Sequence, residues 1–132
     1  MIDKSSFIND PNAYTLKRIG GKWKPHILWG TSHDIPMRFS KAMHIIPITE
    51  RVLAQNLREL EADGLIRREV YPEIPPRVEY SLTENGRSAV ELLRQIYIWG
   101  RERMLEEGIE PDPLGELHHG FLTPEEYNEK RK

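Results

Sequence analysis

Thr49-Glu-Arg-Val-Leu-Ala-Gln-Asn-Leu-Arg-Glu-Leu-Glu-Ala-Asp-Gly64 decides how the rest of the chain is read. Leu53, Leu57 and Leu60 recur at helical spacing, with Ile48 and Val52 on the flanks. Thr49 can cap the first free N–H groups, and Gly64 suits the far end. The stretch therefore predicts an amphipathic helix with one leucine face. A helix advances about 100° per residue, so Arg51, Gln55, Arg58 and Ala62 fall opposite the leucines.

Downstream, Ile66-Arg-Arg-Glu-Val-Tyr71 and Arg77-Val-Glu-Tyr-Ser-Leu82 read as strands, the second with Val78, Tyr80 and Leu82 alternating with polar neighbours. Pro72-Glu-Ile-Pro-Pro76 joins them, too short a link for anything but an antiparallel hairpin. Thr83 caps a long helix to about Glu107, closed by Gly108 and Pro111. Its apolar residues, among them Ala89, Leu93, Ile96, Tyr97, Trp99 and Met104, form a stripe broad enough to need cover on more than one side.

Upstream, Asp10-Pro11 starts a helix that stops at Gly20-Gly21. A second starts near Lys22, with Pro25 in its first turn. Asp34-Ile35-Pro36 is a break, Met37–Phe39 a short strand, and Ser40 caps a short helix through His44 that Pro47 ends. Thr123-Pro-Glu-Glu126 predicts a short terminal helix.

The order helix, helix, strand, helix, helix, hairpin, long helix is mainly α with a small β hairpin. It matches a winged helix-turn-helix with extra N- and C-terminal helices. We divide the chain into a domain over residues 1–107 and a tail over 108–132.

Composition narrows the function. The 132 residues contain no cysteine, which excludes thiol nucleophiles, disulfides and thiolate metal sites. Mean hydropathy is −0.63, no apolar run has the ~18 residues of a membrane span, and Met1-Ile-Asp-Lys-Ser-Ser has no signal-peptide core. A cytoplasmic protein with no membrane partner is expected. Net charge is only −2, but it is uneven: residues 101–132 hold five basic and nine acidic side chains, the first hundred 14 and 12. Pro11–His33 carries Lys17, Arg18, Lys22 and Lys24 and no carboxylate, which reads either as the local positive patch a phosphate surface needs or as a solvated basic helix face.

On this fold, residues near the N-terminal end of the predicted recognition helix meet the major groove of double-stranded DNA. Arg51 can read guanine through O6 and N7, and Gln55 adenine through N6 and N7. Thr49 and Arg58 suit phosphates; the competing reading makes Arg51, Gln55 and Arg58 an ordinary wet face with i,i+4 pairs. Arg77 at the wing tip can reach a phosphate or the minor groove, or pair with Glu69 or Glu79. Arg67 and Arg68 are read as hairpin surface residues paired to Glu79. Lys22, Arg38, Ser40 and Lys41 lie near helix starts, where anions are favoured. Trp23, Trp29 and Trp99 are read as core or dimer-interface side chains, with an aromatic pocket for a small-molecule effector as the second reading. His118-His119 is a weak metal signal, His26, His33 and His44 show no ligand spacing, and no metal or cofactor is expected.

Four strings stand in order: Ile19-Gly-Gly-Lys-Trp-Lys24, Arg38-Phe39, Leu57-Arg-Glu-Leu-Glu-Ala-Asp-Gly-Leu-Ile66, and Pro75-Pro-Arg-Val-Glu-Tyr-Ser-Leu-Thr-Glu-Asn-Gly86. Together they resemble the HxlR-type transcriptional regulators, winged-helix proteins related to the MarR group, over about residues 11–105. The Pro-Pro-Arg-Val-Glu-Tyr-Ser-Leu-Thr string is the specific one; the leucine string recurs across many winged-helix families. The resemblance implies a homodimer, built by the first and last helices, on an operator of approximate dyad symmetry. Excess apolar surface points the same way, and we place Leu16, Ile96, Tyr97, Trp99 and Met104 at that interface.

Three departures stand out. Members usually carry a cysteine before the first helix; here the segment is Asn9-Asp-Pro-Asn12, which has no thiol. The third helix usually reads Arg-Phe-x-Glu-Leu; here Lys41 replaces the acid, which favours a phosphate contact. The turn often reads Pro-Gly-Ile; here Pro47 runs into Ile48, which predicts a turn one residue shorter.

Two other function classes compete with this reading. A winged-helix protein-interaction module without DNA binding is suggested by the acidic tail. An enzyme is disfavoured, because there is no phosphate-binding Gly-x-x-x-x-Gly-Lys loop, no His-Glu-x-x-His and no nucleophile elbow.

Overall fold

Three threonine and aspartate caps set the frame. The computed structural model describes residues 9–32 and 36–111. Helix α1 spans Pro11–Ile19; the Asp10 carboxylate accepts from the N–H groups of Asn12 (3.2 Å) and Ala13 (3.4 Å). Helix α2 spans Lys24–Gly30 and α3 Phe39–Ile45, with strand β1 at Met37–Arg38 between them. Helix α4, Glu50–Ala62, starts where Thr49 Oγ1 accepts from Val52 N (3.3 Å). Strands β2 (Ile66–Tyr71) and β3 (Arg77–Leu82) form the hairpin. Helix α5, Glu84–Glu106, starts where Thr83 Oγ1 accepts from Gly86 N (3.1 Å). Gly64, just past α4, has φ +73°, a conformation side chains other than glycine rarely tolerate.

The strands form one antiparallel sheet in the order β1-β3-β2. Ile66 faces Leu82, Glu69 faces Glu79 and Tyr71 faces Arg77; β1 adds Met37 opposite Tyr80 and Arg38 opposite Glu79. Strand alternation then gives two faces. Met37, Tyr80, Ile66 and Leu82 turn to the core and are buried. Arg38, Glu79, Arg77, Glu69 and Tyr71 share the outer face.

The core joins helices and sheet. Leu53 and Leu60 are fully buried and Leu57 is 2% exposed. Each such side chain is worth about 1.5–3 kcal/mol relative to exposure. They pack with Ile27, Leu28 and Trp29 of α2 and with Ala89 and Leu93 of α5. The leucine face of α4 is therefore what fixes its opposite face outward.

Two expected boundaries are corrected. Helix α2 starts at Lys24, not near Lys22; Trp23 occupies the cap position with no side-chain cap bond. Ser40 does not cap α3. The helix begins at Phe39 with Arg38 in the extended cap position, because Arg38 is still paired to β3 when the helix starts. The Asp34-Ile35 part of the expected break, His33, His118-His119, the terminal helix at 123–126 and nearly all of the 108–132 tail lie outside the described residues.

Candidate nucleic-acid interface

The outward face of α4 begins with Arg51, which is exposed and makes no ion pair or hydrogen bond among the described residues. Thr49 sits two residues before it, exposed, its hydroxyl oxygen engaged by Val52 N and its hydrogen still able to donate. This end also carries the positive pole of the helix dipole.

Gln55 and Arg58 follow on the same face, but neither is solitary. Arg58 Nη2 donates to Gln55 Oε1 (2.8 Å), and Gln55 Nε2 donates to Glu59 Oε1 (3.0 Å). Glu59 Oε2 in turn meets Lys24 Nζ of α2 at 2.9 Å. The hydrogen bond from Gln55, then the bond and charge of Lys24, hold the Glu59 carboxyl below its ordinary value. Glu59 is thus ionised at neutral pH and only accepts.

This arrangement re-assigns part of the basic patch. Lys24 is held by Glu59, and Arg18 lies 4.0 Å from Asp63 at the far end of α4. Two of its four cations therefore tie α1 and α2 to α4. Lys22 remains exposed, its ammonium 4.8 Å from the Trp23 ring centroid. Lys41 and Ser40 are exposed on α3.

The wing takes up two more predicted contacts. Arg77 lies 3.5 Å from Glu79 and 3.4 Å from Glu73, with its guanidinium 4.2 Å from the Tyr71 ring centroid. Arg38 reaches the same Glu79 carboxylate at 3.9 Å. Arg77 thus pairs with Glu79, one of the two expected partners, but along β3 and not across the hairpin, since both residues lie on that strand. Arg67 and Arg68, expected to pair with Glu79, make no ion pair among the described residues: Arg38 and Arg77 have taken that carboxylate, and Arg68, opposite Tyr80, lies on the other face of the sheet. Tyr71 donates to Glu69 (2.8 Å), a bond that pushes the phenol above its ordinary pKa and keeps it neutral. At the tip Ile74 is fully exposed.

Exposed apolar side chains stand on α1 and along one face of α5. Leu16 is 60% exposed, Ile96 50% and Trp99 64%, joined by Tyr14 and Leu92. Met104 is half-buried. Tyr97, expected on this face, turns the other way: it packs on the core, edge-to-face with Trp29 at 5.6 Å. The spacing Ala89, Leu93, Tyr97 marks the inner side of α5, whereas Leu92, Ile96, Trp99 marks the outer one. Trp29 is a core side chain, Trp23 is half-buried, and Trp99 is exposed.

Comparison with known proteins agrees with this geometry. Residues 18–108 match the family described as HxlR-like helix-turn-helix. Over 87 residues, 65% of the chain and 66% of the relative, the chain is 53% identical to an HTH-type transcriptional regulator of Methanothermobacter thermautotrophicus. It is 50% identical over 91 residues, 68% of the chain and 72% of the relative, to the HTH-type transcriptional regulator YybR of Bacillus subtilis. Among solved structures, the redox regulator HypR in its reduced form superposes with a TM-score of 0.67 at 46% identity, covering 74% of this chain and 99% of that one. No helix among the described residues is long and apolar enough to cross a membrane. With a leucine-anchored α4 presenting Arg51 outward beside a hairpin wing, the chain belongs to the HxlR-like helix-turn-helix family and is a DNA-binding regulator of transcription on the MarR-related winged-helix fold.

Proposed function

We propose that two copies of the chain bind an operator of approximate dyad symmetry in the cytoplasm, each laying α4 in the major groove. Arg51 and Gln55 read base edges; Thr49, Arg58, Lys22, Arg38, Ser40 and Lys41 lie along phosphates. Arg77 reaches DNA only by giving up part of its cage of Glu73, Glu79 and Tyr71. Leu16, Ile96 and Trp99 join the copies, with Met104 at the edge, and set half-sites about one or two helical turns apart. The carrying observation is an outward, unengaged Arg51 together with exposed apolar side chains on α1 and α5. A protein-interaction module that ignores DNA gains no support from the family or its relatives. HypR is a redox regulator, but this chain has no cysteine, so any signal it answers does not act through a thiol.

The test is fluorescence anisotropy of the full chain on a labelled duplex from its own upstream region and on a scrambled copy. Preference for the native duplex, two chains per duplex and a falling affinity with salt are expected. Equal affinity for both duplexes at every salt concentration overturns the reading.

A further inference from the structure

We propose that Glu59 is a positioning residue that fixes the polarity of the Gln55 amide, and through it which base Gln55 selects. The inference rests on α4 lying in the major groove. Glu59 itself touches no base in this scheme; it acts through Gln55.

The argument is a count of donors and acceptors. A glutamine amide has two N–H donors and an oxygen with two lone pairs. Glu59 Oε1 accepts one N–H at 3.0 Å, and Arg58 Nη2 donates to the oxygen at 2.8 Å. One donor and one acceptor are left. That is the pair adenine requires at N7 and N6. Turning the amide over would set its NH2 against the Arg58 guanidinium and its oxygen against the Glu59 carboxylate, two repulsive contacts in place of two bonds. Polarity is thus set by neighbours that can each act in only one way.

Glu59 is well anchored for the task. Its second oxygen holds Lys24 Nζ at 2.9 Å, and that lysine is only 11% exposed and also donates to the Lys17 carbonyl (3.3 Å). The chain Lys17, Lys24, Glu59, Gln55, Arg58 runs from the packed helices out to the reading face. Without Glu59, Arg58 alone still orders the amide; the flipped form, whose NH2 can serve acceptors on guanine as well, loses one of the two contacts that oppose it.

The experiment is selection from a randomised duplex library by the full-length chain, followed by anisotropy on the selected sites. It compares the unaltered protein with Glu59→Gln, Glu59→Ala and Gln55→Ala, each checked for folding by thermal melting. Glutamine at 59 keeps the size but both donates and accepts; alanine, a strong helix former, secures a folded variant without the carboxylate. The unaltered chain is expected to prefer A·T at one position per half-site by about fivefold or more. Both Glu59 variants lose most of that preference at that position alone and keep the others. If Gln55→Ala loses the preference while both Glu59 variants retain it, the positioning role is overturned and the Gln55 contact stands. If Gln55→Ala selects the same bases as the unaltered chain, the Gln55 contact falls and the proposal falls with it.

Discussion

Thr83 Oγ1 donates to the Gly64 carbonyl at 2.6 Å while accepting from Gly86 N at 3.1 Å. One hydroxyl thereby caps α5 and ties it to the turn that ends the recognition helix, 19 residues earlier. The Thr83 N–H adds a bond to the Leu65 carbonyl at 3.1 Å. Loss of a threonine cap costs about 1 kcal/mol, up to 2 in partly buried settings. Thr83→Ala is expected to fall at the upper end, because the Gly64 contact goes too, and Thr83→Ser to recover most of it. Urea denaturation gives the difference directly.

Gly86 shows the same junction from the other side. In most helices Gly→Ala gains about 1 kcal/mol. Here a Cβ would stand 2.1 Å from the Leu65 carbonyl oxygen and 2.9 Å from Leu82 Cδ2. That carbonyl is backbone, held by Thr83, and cannot step aside. Overpacking costs of about 1–3 kcal/mol should outweigh the gain, so Gly86→Ala destabilises. Gly100 on the same helix has nothing of the chain within 4 Å of its Cβ position, and there the ordinary gain is expected. Opposite shifts in the thermal midpoint check the pair.

The caps and the leucine face could be read from sequence because they are local. Asp10, Thr49 and Thr83 act within three residues, and Leu53, Leu57 and Leu60 share a face by helix geometry alone. Ser40 misled because the start of α3 is set by Arg38, which is paired across the sheet to Glu79. The packing of Tyr97 was not legible because a broad apolar stripe does not say which part of it meets the core; Trp29, far away in sequence, decides it. Lys24 reads from sequence only as part of a basic run, yet the docking of α2 on α4 commits it to Glu59. In each case the deciding partner lies on another element.

Arg51 and Lys41 separate the two parts of DNA affinity. Arg51 faces outward near the start of α4, where a bidentate contact to guanine is worth about 1–3 kcal/mol of discrimination. Arg51→Ala is expected to lose that preference at one base pair. Lys41 is exposed on α3 and suits a phosphate. Lys41→Ala should weaken all sequences alike and lower the slope of log affinity against log salt by about one. Anisotropy titrations on matched and mismatched duplexes at several salt concentrations measure both.

Helix α5 makes a second separation. Leu93 is 3% exposed and Ile96, three residues on, is 50% exposed. Leu93→Ala should cost about 2–5 kcal/mol of stability, as buried leucine truncations do. Ile96→Glu or Trp99→Glu should leave the fold of a single copy intact and abolish pairing. Sedimentation velocity is expected to show monomers, and affinity for a full operator should drop to that for one half-site.

Acid titration probes the connection between Lys24 and the reading face. The Glu59 carboxyl lies below its ordinary value of 4.5 because Gln55 donates to it and Lys24 faces it. A lowered folded value means that the ionised form contributes stability above about pH 4.5 and that this contribution disappears as pH falls through the folded value. Glu59 therefore stays an acceptor from neutral pH down to about pH 5, and base selection should not change over that range. Carboxyl carbon shifts followed by NMR should give a Glu59 midpoint under 4.5. Gln55→Ala and Lys24→Met should each raise it toward that value, since each removes one cause of the shift. A Glu59 midpoint unmoved by both changes would mean that the bonds at 3.0 and 2.9 Å are not held in solution.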